Sequence, residues 1–313
     1  MRFNFISFLV FAVFIFGTNT QLIASGETQS KRQKEFIGHG RLFTNDLLGE
    51  YKDRWRTGSL SVSGVWGQKW TGQLPENFTD LIELRVLSEI IAPSDLSGKN
   101  GADRPFAGHI GLGVHSHFEH AGLEYNLGLG ASILGEQTGL DDFQIAVHEA
   151  LGEKVASDHC LLNQIENQVL IGPSFEISKT VSEGDNVTIR PFFEAYTTAE
   201  TLARVGTDVY FGTGFLGSLY IRDQVTGQRY QVVGGEQEGL GFSFGGDISH
   251  VASSAFFHGS SSSMLNRRLR FRTGLHWGQQ TKQGFAGLTW LSKEFEGQPE
   301  GQILGSVRVI LKF

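Results

Sequence analysis

Apolar and polar residues alternate along most of this chain, in segments that glycine-rich turns separate from one another. The alternation has a period of two residues, which is typical of β-strands whose two faces lie in different surroundings. Twelve such segments can be counted. Their bounds are Glu35–Leu47, Thr57–Trp70, Thr79–Ala92, Pro105–His117, Gly122–Leu134, Asn163–Val181, Asn186–Thr198, Gly206–Ile221, Gln228–Phe257 (with room for an interruption), Leu265–Gln280, Gly284–Phe295 and Gln302–Phe313.

One segment departs from this pattern and predicts an amphipathic helix, Leu140–Leu151. At 100° per residue its apolar side chains form one stripe, composed of Leu140, Phe143, Val147, Ala150 and Leu151. Asp141, Gln144 and His148 share the border of that stripe, because spacings of three and four residues lie on one helix face. We therefore expect a helix that docks through its apolar stripe and presents this polar trio.

Twelve long strands predict an all-β fold, a 12-stranded antiparallel transmembrane β-barrel with one short helix in an extracellular loop. Bacterial single-chain barrels have an even number of strands, and soluble sheets use shorter strands, of about 5–6 residues. The last segment alternates apolar residues with Arg308 and Lys312 and ends on Phe313, as final strands of outer-membrane barrels do. The alternative is a soluble β-sandwich whose last strand happens to end in phenylalanine.

The N-terminus predicts export. Arg2 precedes an apolar run, Phe5–Phe16, and small residues follow at Ala24 and Ser25. The run is shorter than the ~20 residues that a spanning helix needs, so residues 1–25 are interpreted as a signal peptide and residues 26–313 as the barrel. The expected location is the outer membrane of a Gram-negative bacterium.

Composition supports a barrel and excludes other classes. Glycine contributes 41 residues and phenylalanine 25, whereas proline contributes only 6, which suits long strands joined by tight turns. The single cysteine, Cys160, excludes an internal disulfide. The formal net charge of −7 argues against a nucleic-acid partner.

Strand direction gathers polar residues at one end of the predicted barrel. If both termini are periplasmic, the first, third and fifth strands all run toward the outer rim, and the loops that follow them meet there. The residues gathered in this way are Asn45, Asp46, Thr57, Lys99, Gln144, His148 and Glu153. Convergence of such side chains from separate segments indicates a site more strongly than any one of them.

A second polar group, His115, His117 and His120, is placed by the same reasoning at a periplasmic turn. Two of these histidines share a strand face, as zinc ligands can, but no cysteine or carboxylate pair completes a site. We interpret the group as a solvated polar turn.

Several short motifs in fixed order resemble the outer-membrane lipid A 3-O-deacylases. They are Asn45-Asp46, Asp53-Arg54, Thr57-Gly58, Asp103–Gly108, Gln144 with His148, Gln164–Asn167, Glu294-Phe295, Gly297-Gln298 and Gly301-Gln302. They span almost the whole mature chain. Family members are 12-stranded barrels with an active site at the extracellular rim, between the wall and a loop helix. This chain differs at Leu47, at Arg56 and in the spacing to Glu153.

The resemblance implies a Ca²⁺-dependent esterase that removes the acyl (or acyloxyacyl) group at the 3′ position of lipid A. His148 would be the general base, because imidazole exchanges protons near neutral pH. Asp46 and Glu153 would be oxygen ligands of Ca²⁺, and Asn45 would help to position the site. Thr57 and Gln144 would orient the base or the carbonyl, and Lys99 would bind a lipid A phosphate.

Two alternatives belong to other classes of protein. One is a non-enzymatic barrel or channel that keeps the family fold. The other is a phospholipase with a serine nucleophile, although no serine lies beside His148 in the sequence. The expected partners are lipid A or lipopolysaccharide and outer-membrane lipids, and a monomer is expected.

Overall fold

The computed structural model describes residues 34–97, 102–183, 186–212, 215, 217–234, 239–257, 263–279 and 282–311. The predictions that concern the signal peptide, Lys99 and Phe313 fall outside these residues. Within them, no helix is both long and apolar enough to cross a membrane.

Strands dominate the described residues, together with two short α-helices. The strands are β1 (Glu35–Asn45), β2 (Trp55–Gly67), β3 (Ile82–Ala92), β4 (Ala107–His120), β5 (Leu123–Leu134), β6 (Gln168–Ser178), β7 (Val181–Glu183), β8 (Val187–Thr197), β9 (Glu200–Phe211), β10 (Leu219–Arg222), β11 (Arg229–Val233), β12 (Gly239–Ser254), β13 (Arg267–Gln279), β14 (Lys282–Leu291) and β15 (Gln302–Leu311). The helices are α1 (Leu140–Leu151) and α2 (Asp158–Leu162).

Twelve of these strands form a closed antiparallel barrel, as the sequence predicted. The order around the wall is β6-β5-β4-β3-β2-β1-β15-β14-β13-β12-β9-β8, and pairing of β6 with β8 closes the ring. The first and last strands of the chain are neighbours, with Phe43 opposite Val307. Closure leaves no unpaired edge in the ring, which stabilises a sheet that faces lipid.

The wall strands have a polar face toward the lumen and an apolar face toward the outside. In β12, Ser243, Asp247 and Ser249 are buried in the lumen, whereas the intervening Phe244 and Ile248 are exposed on the outside. Exposed apolar side chains recur on the outer face of most other wall strands. An outer apolar surface around a polar interior is the arrangement of barrels that reside in membranes.

A hairpin inside the lumen is the main feature that the sequence analysis missed. Strands β10 and β11 pair only with each other and pack against the inner face of β1. A Cβ atom on Gly40 would lie 2.5 Å from the carbonyl oxygen of Gln231, so the two backbones are in close contact. The predicted strands Gly206–Ile221 and Gln228–Phe257 are therefore wrong in extent. The wall strands there are β9 and β12, and the chain between them folds into the barrel.

The tip of this hairpin is bonded to several sides of the wall. Ser61 donates a hydrogen bond of 2.6 Å to Asp223, and the Gln228 amide donates to Thr289 over 3.1 Å. Arg270 donates to the backbone carbonyl of Gln224 over 2.9 Å. These contacts hold the hairpin across the lumen.

The prediction that His115, His117 and His120 form a solvated turn is wrong for two of the three. His115 and His117 lie within β4 and are buried in the lumen, where His117 Nε2 is 2.7 Å from a Glu83 carboxylate oxygen. Only His120, at the end of β4, is exposed. The strand continues three residues beyond its predicted end, because inward polar residues are compatible with a strand whose inner face is polar.

Candidate active site

The turn after β1 buries Asp46 directly beyond the last residue of the strand. Asn45 pairs with Gly58, and its side-chain oxygen accepts a hydrogen bond of 2.8 Å from the Leu47 backbone N–H. The Asp46 carbonyl accepts bonds from Gly49 and Glu50, over 2.9 and 2.8 Å. An asparagine that bonds the backbone two residues on favours such a tight turn. Asn45 therefore shapes the backbone that holds Asp46.

The two oxygens of the Asp46 carboxylate have different surroundings. The residue is 1% exposed, and Oδ2 accepts a hydrogen bond of 2.8 Å from the Arg54 backbone N–H. Oδ1 is buried and has no hydrogen-bond partner among the residues that the structure describes. Burial raises the pKa of this carboxyl to about 8, and the nearby carboxylates of Asp53 and Glu50 act in the same direction. Asp46 is thus a buried acid that a bound cation would stabilise in its charged form.

Thr57 lies at a β-bulge where β2 begins. The register between β2 and β3 shifts between Arg56 and Gly58, and the Thr57 carbonyl accepts a bond of 3.1 Å from Asp46 N. Two residues earlier Trp55 has a φ of 53°, a left-handed conformation that is costly for a bulky residue. Bulges and such conformations are frequent beside active sites, where they redirect side chains.

Helix α1 has the predicted bounds but presents a different face to the barrel. Leu140, Asp141 and Gln144 are its buried residues, whereas Val147 and Leu151 are exposed. The prediction that the full apolar stripe would dock is therefore wrong. In water an apolar stripe is driven inward, but beside a membrane it can face lipid while the polar border meets a polar rim.

Gln144 is placed on the buried face of α1, one turn before His148. The residue is 4% exposed, and both its side-chain oxygen and its side-chain nitrogen are buried without a hydrogen-bond partner. The neighbouring Asp141 accepts a hydrogen bond of 3.1 Å from the Gln164 side chain. An unpaired buried amide is unfavourable unless something else bonds it, so Gln144 is suited to contact a bound molecule.

The orientation of the His148 ring is fixed by the contacts of its two nitrogens. Nδ1 lies 2.6 Å from the Lys154 backbone carbonyl, which can only accept, so Nδ1 carries the proton. Nε2 lies 3.4 Å from a carboxylate oxygen of Asp53. The side chains of His148 and Asp53 are 12% and 29% exposed, so the pair is reachable from outside.

Asp53 is a site residue that the sequence analysis did not select, although it stands in the quoted Asp53-Arg54 motif. Burial raises the pKa of its carboxyl, the neighbouring His148 lowers it, and Glu153 raises it. Glu153 itself follows α1, is exposed, and donates its backbone N–H to the His148 carbonyl over 2.8 Å. The structure therefore brings His148, Asp53 and Glu153 into one electrostatic neighbourhood, and Asp46 acts on it through Asp53.

The residues at this end fit a hard cation in part. Asp46 Oδ1 and Gln144 Oε1 are buried oxygens without hydrogen-bond partners, and oxygen atoms are the ligands that Ca²⁺ takes. Over the residues the structure describes, no three His, Cys, Asp or Glu side chains group together as metal ligands. A cation at Asp46 would therefore draw most of its ligands from amide, backbone or water oxygens.

A cluster of buried ion pairs supports the strands that carry the site. This rim cluster consists of Arg56, Arg104, Arg268, Glu89, Glu200 and Glu294. Arg56 Nε lies 2.7 Å from Glu294, Arg104 Nη1 lies 2.8 Å from the same carboxylate, and Arg268 lies 2.8 Å from Glu200. Arg56 precedes Thr57, so the cluster fixes the backbone next to the site.

The fold and the site together define a class of protein. It is an outer-membrane barrel with an apolar outer surface and a polar histidine–carboxylate site at its rim. The chain belongs to the LpxR family, since the model of that family, described as outer membrane protein LpxR, matches residues 8–313. No curated protein matches the chain.

The solved structure of an LpxR protein has the same fold. LpxR from Salmonella typhimurium superimposes with a TM-score of 0.71 at 16% identity, over 88% of this chain and 100% of that chain. The beta domain of the Bordetella autotransporter Brka gives a TM-score of 0.40 at 11% identity, over 88% of this chain and 99% of its own.

Proposed function

We propose that this protein is an outer-membrane esterase that hydrolyses the acyl (or acyloxyacyl) ester at the 3′ position of lipid A. Membership of the LpxR family supports the class of reaction. The site supports it chemically, because it offers a base, a buried carboxylate for a cation and unpaired polar groups in one region.

The observation that carries the proposal is the geometry of His148. With its proton fixed on Nδ1 by the Lys154 carbonyl, the ring offers a lone pair at Nε2. Nε2 would take a proton from the water that attacks the ester carbonyl. Asp53, 3.4 Å away, would stabilise the imidazolium that forms, so the pair acts as a base with a fixed orientation.

Asp46 would hold Ca²⁺, with Glu153 as a further ligand. When bound, Ca²⁺ would supply positive charge that polarises the ester carbonyl. Asn45 keeps Asp46 in its tight turn. Gln144, whose amide has no partner among the described residues, would bond the substrate ester or the attacking water. Thr57, at the bulge, is proposed to help orient the base or the carbonyl. Lys99 is proposed to bind a lipid A phosphate.

Exposed apolar residues beside the site favour a lipid substrate. Val147, Leu151 and Val155 are exposed next to His148, and Leu47 and Leu48 are exposed next to Asp46. Monomeric soluble proteins rarely expose such groups together, whereas a surface that receives acyl chains needs them. The hairpin β10–β11 inside the lumen argues against the alternative of an open channel.

A comparison of lipid A from cells with and without the gene tests the proposed function. Mass spectrometry should show lipid A lighter by the 3′ acyl substituent only in cells that make the protein. A chelator added to membranes from these cells should stop further conversion. Unchanged lipid A in cells that contain the folded barrel at their surface would reject the proposal.

A further inference from the structure

A cavity in the lumen lies between the hairpin tip and the rim cluster. Its volume is about 50 Å³, room for about three or four water molecules. The lining combines four arginines, from β2, β9 and β13, with three glutamates, and Gln224 and Val225 of the hairpin tip close one side. This cavity is separate from His148 and Asp46, which do not line it.

The arginines present hydrogen-bond donors that no group in the described part of the chain accepts. Arg268 Nε and Nη2, Arg270 Nη2 and Arg204 Nε are buried without a hydrogen-bond partner. Arg204 has two carboxylate neighbours outside the lining, Glu194 at 3.3 Å from Nη1 and Asp247 at 3.9 Å from Nε, and neither contact has hydrogen-bond geometry. Among the described lining residues, every buried atom without a partner is one of these guanidinium donors. Charged donors left unmatched in a buried site are unfavourable.

The three carboxylates that line the cavity are already engaged. Glu89 contacts Arg56 and His109, and Glu200 contacts Arg56 and Arg268. Glu294 accepts from three arginines of the rim cluster. No carboxylate of this lining is therefore available for the remaining donors.

We propose that the cavity binds one small inorganic anion, of the size of chloride, between Arg268, Arg270 and Arg204. Water brings as many donors as acceptors, so water alone would add donors to a site that already has an excess of them. An anion accepts from every side and matches the donor set. Bound there, it would tie β9 and β13 to the rim cluster beneath the candidate active site.

Bromide is a suitable probe, because it replaces chloride and scatters X-rays anomalously. Crystals of the wild-type barrel grown in bromide should show an anomalous peak within hydrogen-bond distance of Arg268 Nε and Arg270 Nη2. Bromide only on the protein surface, with water alone in the cavity, would overturn the proposal. This measurement needs no variant, so it does not depend on an altered lumen folding.

A pair of substitutions at Ser249, a buried residue of the lining, gives an independent test. Wild-type protein in detergent should unfold about 2–4 °C higher in sodium bromide than in sodium gluconate of equal ionic strength, since gluconate is too large for the cavity. Ser249→Asp supplies the negative charge within the chain and should abolish the difference. The neutral control Ser249→Asn should keep it. Equal unfolding temperatures for wild type in both salts, or a difference that survives in Ser249→Asp, would contradict the proposal.

Discussion

At the residue scale, the two carboxylate oxygens of Asp46 differ in hydrogen bonding. Oδ2 is bound by the Arg54 backbone N–H, and Oδ1 has no partner. Oδ2 fixes the side chain, so Oδ1 is the atom through which Asp46 would bind a cation. One oxygen therefore positions the carboxylate, and the other is left for the cation that we propose it binds.

Replacement of Asp46 should mimic removal of calcium. Asp46→Ala should lower deacylation by about 100-fold or more, and added Ca²⁺ should not restore it. Asp46→Asn keeps an oxygen ligand and should recover part of its activity at high Ca²⁺. Calcium titrations of purified variants measure both effects. Asp142→Asn, an exposed acid on α1, is the matched control and should behave as wild type. Full activity of Asp46→Ala in the presence of chelator would exclude the cation role.

At the element scale, the bounds of α1 could be predicted because glycines delimit it. Gly139 and Gly152 have φ values of 65° and 73° at its two ends, a conformation that glycine adopts most readily. Which face of the helix is buried could not be predicted, since that depends on whether lipid or water covers the other face. The sequence pattern alone does not identify the surrounding solvent.

The lumenal hairpin could not be predicted for a related reason. Its strands, LYIR and RYQVV, are short and rich in residues that favour strands, and the local sequence does not identify the partner of a strand. The rim cluster could not be predicted either, because its partners are far apart in the chain. Arg56 and Glu294, for example, are separated by 238 residues. The sequence therefore predicted the wall and the end of the barrel at which Asp46 and His148 lie, but not what fills the lumen or supports that end.

Close contact between the hairpin and β1 predicts that Gly40 is sensitive to substitution. Gly40→Ala would place its Cβ 2.5 Å from a backbone oxygen, so strands must move, at a cost of about 1–3 kcal/mol. The temperature at which the barrel unfolds on heating in detergent should fall. Gly130→Ala, where the nearest atom is 3.2 Å away, should have a smaller effect. Equal effects of the two substitutions would contradict the described packing.

Because α2 is docked, we expect the thiol of Cys160 to be alkylated slowly. The residue is 3% exposed, and burial raises the pKa of its thiol to about 11, from 9.0. A raised pKa means less thiolate at neutral pH, so alkylation at pH 8 should be about 100-fold slower than for an ordinary thiol, from thiolate population alone. The rate should rise about tenfold per pH unit up to pH 11. Iodoacetamide labelling of the folded protein measures this, and rapid labelling at pH 8 would show that α2 is not docked.

At the scale of the whole molecule, the two ends of the barrel differ in a way that the proposed function requires. One end carries α1, Asp46 and His148, and the other carries the chain that enters the lumen. A site for lipid A of the outer leaflet must lie at the external end. The orientation of the barrel in the membrane is therefore a direct consequence of the proposed function.

Cysteine labelling on intact cells tests this orientation. Glu149→Cys, on the exposed face of α1, should react with a membrane-impermeant maleimide, whereas His120→Cys, at the opposite end, should react only after lysis. Buried Cys160 contributes little background. The reverse pattern would place the candidate site on the periplasmic side and remove its access to outer-leaflet lipid.

The proposed role of His148 as the base of an esterase can be tested by measuring hydrolysis with purified protein. Purified wild-type protein and His148→Asn are incubated with lipid A and Ca²⁺, and release of the 3′ acyl group is followed by mass spectrometry. Both proteins should be folded barrels by heat modifiability, and the variant should be slower by about 10²–10⁴-fold, because it lacks the imidazole that takes the proton from water. A folded His148→Asn protein with wild-type activity would contradict the account.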